Sequence, residues 1–226
     1  MITENPLRHS LIDFENLSQQ IRRYWLKPEQ PFNYQAGDYI MLGFDPADLK
    51  PFSIANAPSA NGLLELHIRY DQASPWMQQL FSLEKDSSLY SSSAKPQMQL
   101  HPESSLNLFI AGGTGLSPMK ALLEARIAEG LTLPTKLYMG ARQAEELYLN
   151  QAMQQLADNT PLLEYIPVIS EQESYSGFKG LVHEVAIQQN PQLSDASVYL
   201  CGAWAMTQKA KQDFIDAGLN VRNFFH

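Results

Sequence analysis

The sequence predicts a two-domain β + α/β protein, an antiparallel β-barrel over residues 1–102 followed by a parallel-sheet α/β domain over residues 103–226. Three observations carry this reading. Up to about residue 100, short strand-like runs are separated by Gly, Pro and Asp. After His101-Pro102-Glu103 the rhythm becomes strand, helix, strand, helix. Finally, 226 residues exceed the usual single domain of about 100–200, and 44% hydrophobic residues can bury a sizeable core.

In the first half the clearest strand covers residues 64–70. Leu64, Leu66, Ile68 and Tyr70 fall on one face, and Glu65, His67 and Arg69 fall on the other, polar face. It follows the turn Ala60-Asn61-Gly62. Further strands are expected at 39–44, 52–55 and 97–100, with a helix at 76–83 covering one end, and strands so closely spaced suggest a small barrel. Ser91-Ser92-Ser93 reads as a turn. In the second half, strands are expected at 106–111, 136–140, 162–169, 197–201 and 221–225, and helices at 118–128, 150–157, 181–189 and 206–217. That alternation implies a parallel sheet covered on both faces.

Sixteen Lys and Arg against 24 Asp and Glu give a net charge of −8, which argues against a nucleic acid or an anionic membrane surface as the main partner. Residues 1–10 contain Glu4, Asn5, Arg8 and His9 where an export signal needs an apolar run. The longest apolar runs, near 106–111 and 162–168, fall far below the roughly 18–20 residues of a membrane span. A cytoplasmic protein without a membrane partner is the expectation. The single cysteine, Cys201, can form neither an internal disulfide nor a four-thiolate metal site from this chain alone. No metal ligands are assigned, and redox chemistry here needs a borrowed cofactor.

The run 106–111 leads directly into Gly112-Gly113-Thr114-Gly115-Leu116-Ser117-Pro118, where a helix begins. Glycines let the backbone turn tightly and approach a phosphate, and the free amides of a helix start point at it. Ser117 reads as the N-cap and Pro118 as a first-turn proline. The spacing is neither the six-residue dinucleotide fingerprint nor a P-loop, so taken alone it leaves an ordinary glycine-rich turn open. The strand ends carry Gly112, Gly140 and Gly202, each removing bulk where a ligand approaches the carboxyl ends of a parallel sheet.

Lys50-Pro51-Phe52-Ser53, the turn 111–118, Gly140-Ala141-Arg142 with Leu147-Tyr148, and Tyr199-Leu200-Cys201-Gly202 with Met206 occur in the order and spacing of the ferredoxin-NADP reductase superfamily. Over roughly residues 30–226 the chain most resembles the NAD(P)H-flavin reductases and the oxygenase reductase components that lack a ferredoxin domain. The resemblance implies FAD or FMN on the barrel domain, NADH or NADPH on a Rossmann-like domain, and the two rings meeting between them. Lys50 and Pro51 would then contact the flavin phosphate and ring edge, Phe52 would lie against the isoalloxazine, and Ser53 would stand near N5. The backbone of His67, Ile68, Arg69 and Tyr70 would line the other side. Gly112, Gly113, Thr114 and Gly115 would receive the pyrophosphate, Arg142 would stand by the adenosine ribose, Cys201 and Gly202 would sit by the nicotinamide, and Pro118, Gly140 and Met206 would complete the cofactor-binding set.

Ser53 and Cys201 are thus the catalytic candidates. Their plainer readings are a strand-end hydroxyl and a small buried hydrophobe. His67 reads as solvated or backbone-bonded, and Glu145-Glu146 as a solvated helix face. Lys50 stands where the family usually has arginine, and it lacks the bidentate fork. The last residues are Asn223-Phe224-Phe225-His226, where many relatives continue. The leading expectation is hydride transfer from NAD(P)H to flavin. The alternatives are an FAD-containing component passing electrons to an iron–sulfur or oxygenase partner protein, and a non-catalytic nucleotide sensor.

Overall fold

The computed structural model describes residues 6–100 and 104–226. The boundary read near residue 102 and residues 1–5 lie outside them. The chain divides into two compact units. One holds the residues up to Gln99 together with Lys120–Ala125, and the other holds Leu100–Met119 and Arg126–His226.

The first unit contains β1 (Leu7–Asn16), β2 (Ile21–Pro28), β3 (Tyr39–Gly43), β4 (Lys50–Ser53), β5 (Leu64–Arg69), α1 (Pro75–Phe81) and β6 (Ser88–Ser91). Its antiparallel sheet runs β4-β3-β6-β1-β2-β5, and an isolated bridge from Ile54 to Leu66 joins the two outer strands. The sheet therefore closes on itself as the expected barrel, with a seam held at one point. Leu11, Tyr24, Leu26, Ile40, Leu42, Ile54, Leu64, Leu66 and Ile68 fill its interior, and Leu80 of α1 joins them. Ser74 caps α1 by accepting the Met77 N–H, with Pro75 opening the helix.

Three strands escaped the alternation rule. In β1 a bulge between Leu11 and Asp13 shifts the register, so Ile12 is exposed although it follows the buried Leu11. β2 carries Arg22 and Arg23 between buried Ile21 and Tyr24. Ser91 ends β6, and Ser92 keeps bonding to Met41 through its backbone and hydroxyl, so the triple serine is a strand edge and not a turn. The strand expected at 97–100 does not form. Pro96 has no N–H with which to continue the ladder past the Tyr39–Lys95 bridge, and Met98 instead turns inward.

His9 of β1 is fully buried, with Nε2 2.6 Å from Ser91 Oγ. Burial pushes its pKa down to about 4. The unfolded chain takes up this proton near pH 6.5 and the folded chain refuses it. His9's contribution is therefore complete above pH 6.5 and is lost as pH falls to 4, on the order of 3 kcal/mol. The urea midpoint should drop across this window, and His9→Gln should flatten the drop; an identical slope in the variant would remove His9 from the acid response.

The second unit contains β7 (Leu106–Gly112), the two ends of α2 (Leu116–Glu129), whose residues Lys120–Ala125 group with the first unit, β8 (Thr135–Ala141), α3 (Asn150–Asp158), β9 (Leu163–Ile169), β10 (Phe178–Lys179), α4 (Val182–Gln189), β11 (Ala196–Cys201), α5 (Trp204–Asp216) and β12 (Phe224–Phe225). The sheet runs β10-β9-β8-β7-β11-β12 and is parallel throughout. Strand order thus reverses between β7 and β11, and such a switch point is where open α/β sheets bind ligands. Leu108, Ile110, Val168, Val198, Leu200, Ala210 and Phe214 form its core. The strand expected at 221–225 shrinks to Phe224–Phe225, because the Asn220 side chain accepts the Arg222 N–H and starts a 3-10 turn over Val221–Asn223.

Candidate functional site

Within the first unit, β4 presents the Lys-Pro-Phe-Ser run. The half-buried Ser53 donates its hydroxyl proton to Gln97 Oε1 at 3.1 Å, which leaves the oxygen's lone pairs available. Phe52 lies on Trp76 with ring centres 5.8 Å apart and planes at 21°, and Trp76 also meets Phe44 at 5.1 Å. The Trp76 indole N–H is buried without an acceptor. Pro51 and Lys50 are exposed, and Lys50 Nζ is 2.6 Å from Asp48 Oδ1. On β5, Ile68 belongs to the core, Arg69 is exposed, and the Tyr70 ring packs 4.9 Å from Phe81. Past the Ile54–Leu66 bridge, β5 has no second neighbour in the sheet, so its backbone edge is open beside the end of β4.

Glu65 and His67 contradict the solvated-face reading. Both are buried, and His67 Nε2 lies 2.8 Å from Glu65 Oε1. Residues Lys120–Ala125 belong to this unit, and they satisfy the charge that the alternation pattern assigned to water. The signal was present as Lys120 and Glu124, an i,i+4 ion pair inside the otherwise apolar run 119–125.

Charge at Lys50 is shared with Asp48, and both side chains are about half exposed. Lys50→Ala should therefore weaken FMN and FAD about 5- to 10-fold, an effect near 1 kcal/mol, and leave riboflavin almost unchanged. Equal weakening of all three flavins in equilibrium titrations would point to a folding defect.

In the second unit, β7 ends at Gly112, a 3-10 turn covers Gly113–Gly115, and α2 starts at Leu116. Gly113 has φ +55°, the left-handed region that glycine enters freely. Ser117 is not the N-cap. The 3-10 turn moves the helix start two residues earlier than read, Gly115 takes the cap position, and no side chain caps the helix. Ser117 Oγ is instead buried without a partner, and Pro118 lies in the first turn as expected.

The strand-end glycines make room for this chain's own atoms rather than for empty space. A Cβ on Gly112 or Gly202 would lie 2.8 or 3.0 Å from the Met206 sulfur, and one on Gly140 would lie 2.8 Å from Val182. At Gly115 it would sit 2.0 Å from the Cys201 carbonyl oxygen. Register nevertheless gathers them, since Gly112 pairs with Gly140 and Ala111 with Cys201. Gly112, Gly113, Thr114, Gly115, Cys201, Gly202 and Met206 surround the switch point, with Gly140 at the neighbouring strand end. Burial pushes the Cys201 thiol up to about 11, so it is a neutral group at working pH and not a nucleophile.

Beyond β8, Ala144–Glu146 forms a 3-10 turn and not a helix face. Glu145 is exposed, whereas Glu146 accepts from the Arg142 backbone N–H at 3.1 Å and from its Nη2 at 2.8 Å. Elsewhere His183, Glu184 and Asp213 bring ligating atoms within 4.8 Å of one another, but the Lys209 ammonium already occupies both Asp213 oxygens. No helix among the described residues is long and apolar enough to cross a membrane.

A closed antiparallel barrel with a hydrogen-bonded serine at its seam is followed by a parallel sheet with a glycine turn at its switch point, the two-unit architecture of flavin and pyridine-nucleotide oxidoreductases. Comparison agrees. The family model for the oxidoreductase NAD-binding domain matches residues 109–212. The chain is 34% identical over 215 residues to a probable flavin reductase of Vibrio harveyi, covering 92% of this chain and 91% of that one. It is 32% identical over 222 residues to the CDP-6-deoxy-L-threo-D-glycero-4-hexulose-3-dehydrase reductase of Yersinia pseudotuberculosis, covering 97% of this chain and 67% of that protein. A ferredoxin NADP+ reductase from Neisseria gonorrhoeae superposes with a TM-score of 0.81 over 93% of this chain and 91% of that one, at 18% identity. The chain belongs to the NAD(P)H-flavin reductase family, and it shares the fold of the Neisseria ferredoxin NADP+ reductase.

Proposed function

We propose that this chain catalyses the reduction of FMN, FAD or riboflavin by NADH or NADPH, in the cytoplasm. Bound flavin supplies, at N5, the acceptor for the nicotinamide hydride. The observation that most supports the reading is Ser53. Its proton is committed to Gln97 at an open barrel seam, so its oxygen is an acceptor for an N–H that exists only after reduction.

The lack of a side-chain cap at the start of α2 and the partnerless Ser117 hydroxyl fit a pyrophosphate next to Gly113–Gly115. Cys201 contributes a small neutral surface, which spares the oxidised nicotinamide ring an adjacent thiolate. Arg142 is shared with Glu146, so a 2′-phosphate gains a cation and meets a carboxylate, and both nucleotides should serve.

Anaerobic mixing with NADH or NADPH, with and without each flavin, tests the proposal. Bleaching of flavin absorbance is expected, and no bleaching with any flavin would overturn it. A second reading, an electron-transfer component for an iron–sulfur or oxygenase partner, is favoured by the likeness to the Yersinia reductase, of which a third has no counterpart here. A protein purified yellow that reduces a partner faster than free flavin would select it.

A further inference from the structure

The most heavily charged interior of the molecule lies within the first unit. Lys120 Nζ donates to Glu124 Oε1 at 2.6 Å, Glu65 Oε2 at 2.8 Å and the Ala55 carbonyl at 3.1 Å, three acceptors for its three protons. The other oxygen of Glu65 meets His67 Nε2 at 2.8 Å and the Arg23 guanidinium at 2.9 Å. The other oxygen of Glu124 accepts the Ala57 N–H at 3.0 Å. Lys120 and Arg23 balance Glu65 and Glu124. Burial disfavours the Glu65 carboxylate, but the His67 bond and the Lys120 charge outweigh it and hold its pKa at about 2.

Buried ion networks are a poor source of stability, because well-packed apolar groups of the same volume often do as well. What this network grips is specific. The Ala55 carbonyl and Ala57 N–H lie two and four residues after Ser53, and the intervening backbone is pinned again by Ala55 N–H on the Glu65 carbonyl and by the Tyr34 hydroxyl on the Ala57 carbonyl. The sheet holds Ser53 on the other side through its pairing with Tyr39.

We propose that Lys120 is a positioning residue for flavin reduction: acting through the Ala55 carbonyl, Glu65 and Glu124, it fixes the segment 53–57 and with it the direction of the Ser53 hydroxyl. The inference rests on the flavin reductase reading. Lys120 is buried and touches no substrate in this scheme, so its removal should be felt through Ser53 and nowhere else.

A double-mutant cycle tests this, using Lys120→Met, Ser53→Ala and their combination, with stopped-flow reduction by NADH at saturating FMN. Lys120→Met should slow reduction about tenfold while the NADH KM and FMN Kd stay within about threefold, and Lys120→Arg should recover most of the rate. In the Ser53→Ala background the Lys120→Met change should cost less than twofold. Full additivity, or an unchanged single-mutant rate, overturns the proposal.

A measurement without flavin stands beside it. Amide exchange at Ala55 and Ala57 should accelerate at least tenfold in Lys120→Met while the β1–β2 ladder stays protected, and unchanged exchange there also overturns it. Should Lys120→Met fail to fold, Glu124→Ala, at a 36% exposed side chain, removes the Ala57 acceptor. It should show the same non-additivity with Ser53→Ala, and additivity refutes the proposal there too. A parent protein that reduces no flavin, with the Ala55 and Ala57 exchange effect still present, sinks the functional reading and leaves only a structural clamp.

Discussion

Gly113→Val is expected to abolish pyridine-nucleotide use while leaving flavin binding nearly intact. Gly113 sits at φ +55°, where an L side chain costs about 1–2 kcal/mol and a β-branched one more, since its second branch crowds the following carbonyl. The turn can relieve that strain by flipping the backbone, which withdraws the amides that precede α2 from the anion. If it does not flip, the isopropyl group fills the place of the phosphate. Either route predicts a fall of at least about 100-fold in kcat/KM for NADH, more than about 2.7 kcal/mol. The lesion should stay local, because the barrel residues Lys50–Ser53 belong to the other unit. FMN titration with a steady-state NADH series checks both halves. An unchanged KM and turnover would detach the pyrophosphate from Gly113–Gly115.

Ser53→Ala should slow flavin reduction about 10- to 100-fold with little loss of flavin affinity. The hydroxyl proton is held by Gln97, so the oxygen gains its strongest donor only when reduced flavin is produced. An interaction that grows toward the transition state appears in the rate and not in the ground-state Kd. A single hydrogen bond of this kind contributes about 1–3 kcal/mol. Stopped-flow reduction of the flavin-saturated variant by NADH is the measurement, and a rate constant within twofold of the parent would remove Ser53 from the mechanism. Gln97→Ala offers a graded companion, since the Ser53 hydroxyl would then rotate freely.

Much of the site was legible because its determinants are local. The strand 106–111, the glycine turn and the first-turn Pro118 encode a strand-to-helix junction within thirteen residues, and the helix starts two residues before the position that was read. Cys201-Gly202 likewise lies at a strand end, whereas Lys50–Ser53 is itself strand β4, two residues before the 52–55 that was read. Ser117 was misread because Ser is the commonest kind of N-cap, whereas the glycine turn itself supplies the helix start.

The sequence by itself determined the barrel-then-parallel-sheet architecture and the place of the glycine turn, since these follow from alternation, helix periodicity and glycine positions within short windows. Only the tertiary structure decided which polar residues are interior. Glu65 and His67 alternate with core residues and look solvated until Lys120, 55 positions beyond Glu65, covers their face with a matching charge. Gly112, Gly140 and Gly202 look like openings until Met206 and Val182 fill them. For Glu65, Gly112 and Gly140 the deciding atom is distant in sequence, and a face left to water or ligand by a local pattern becomes buried when another element brings the complementary group to it.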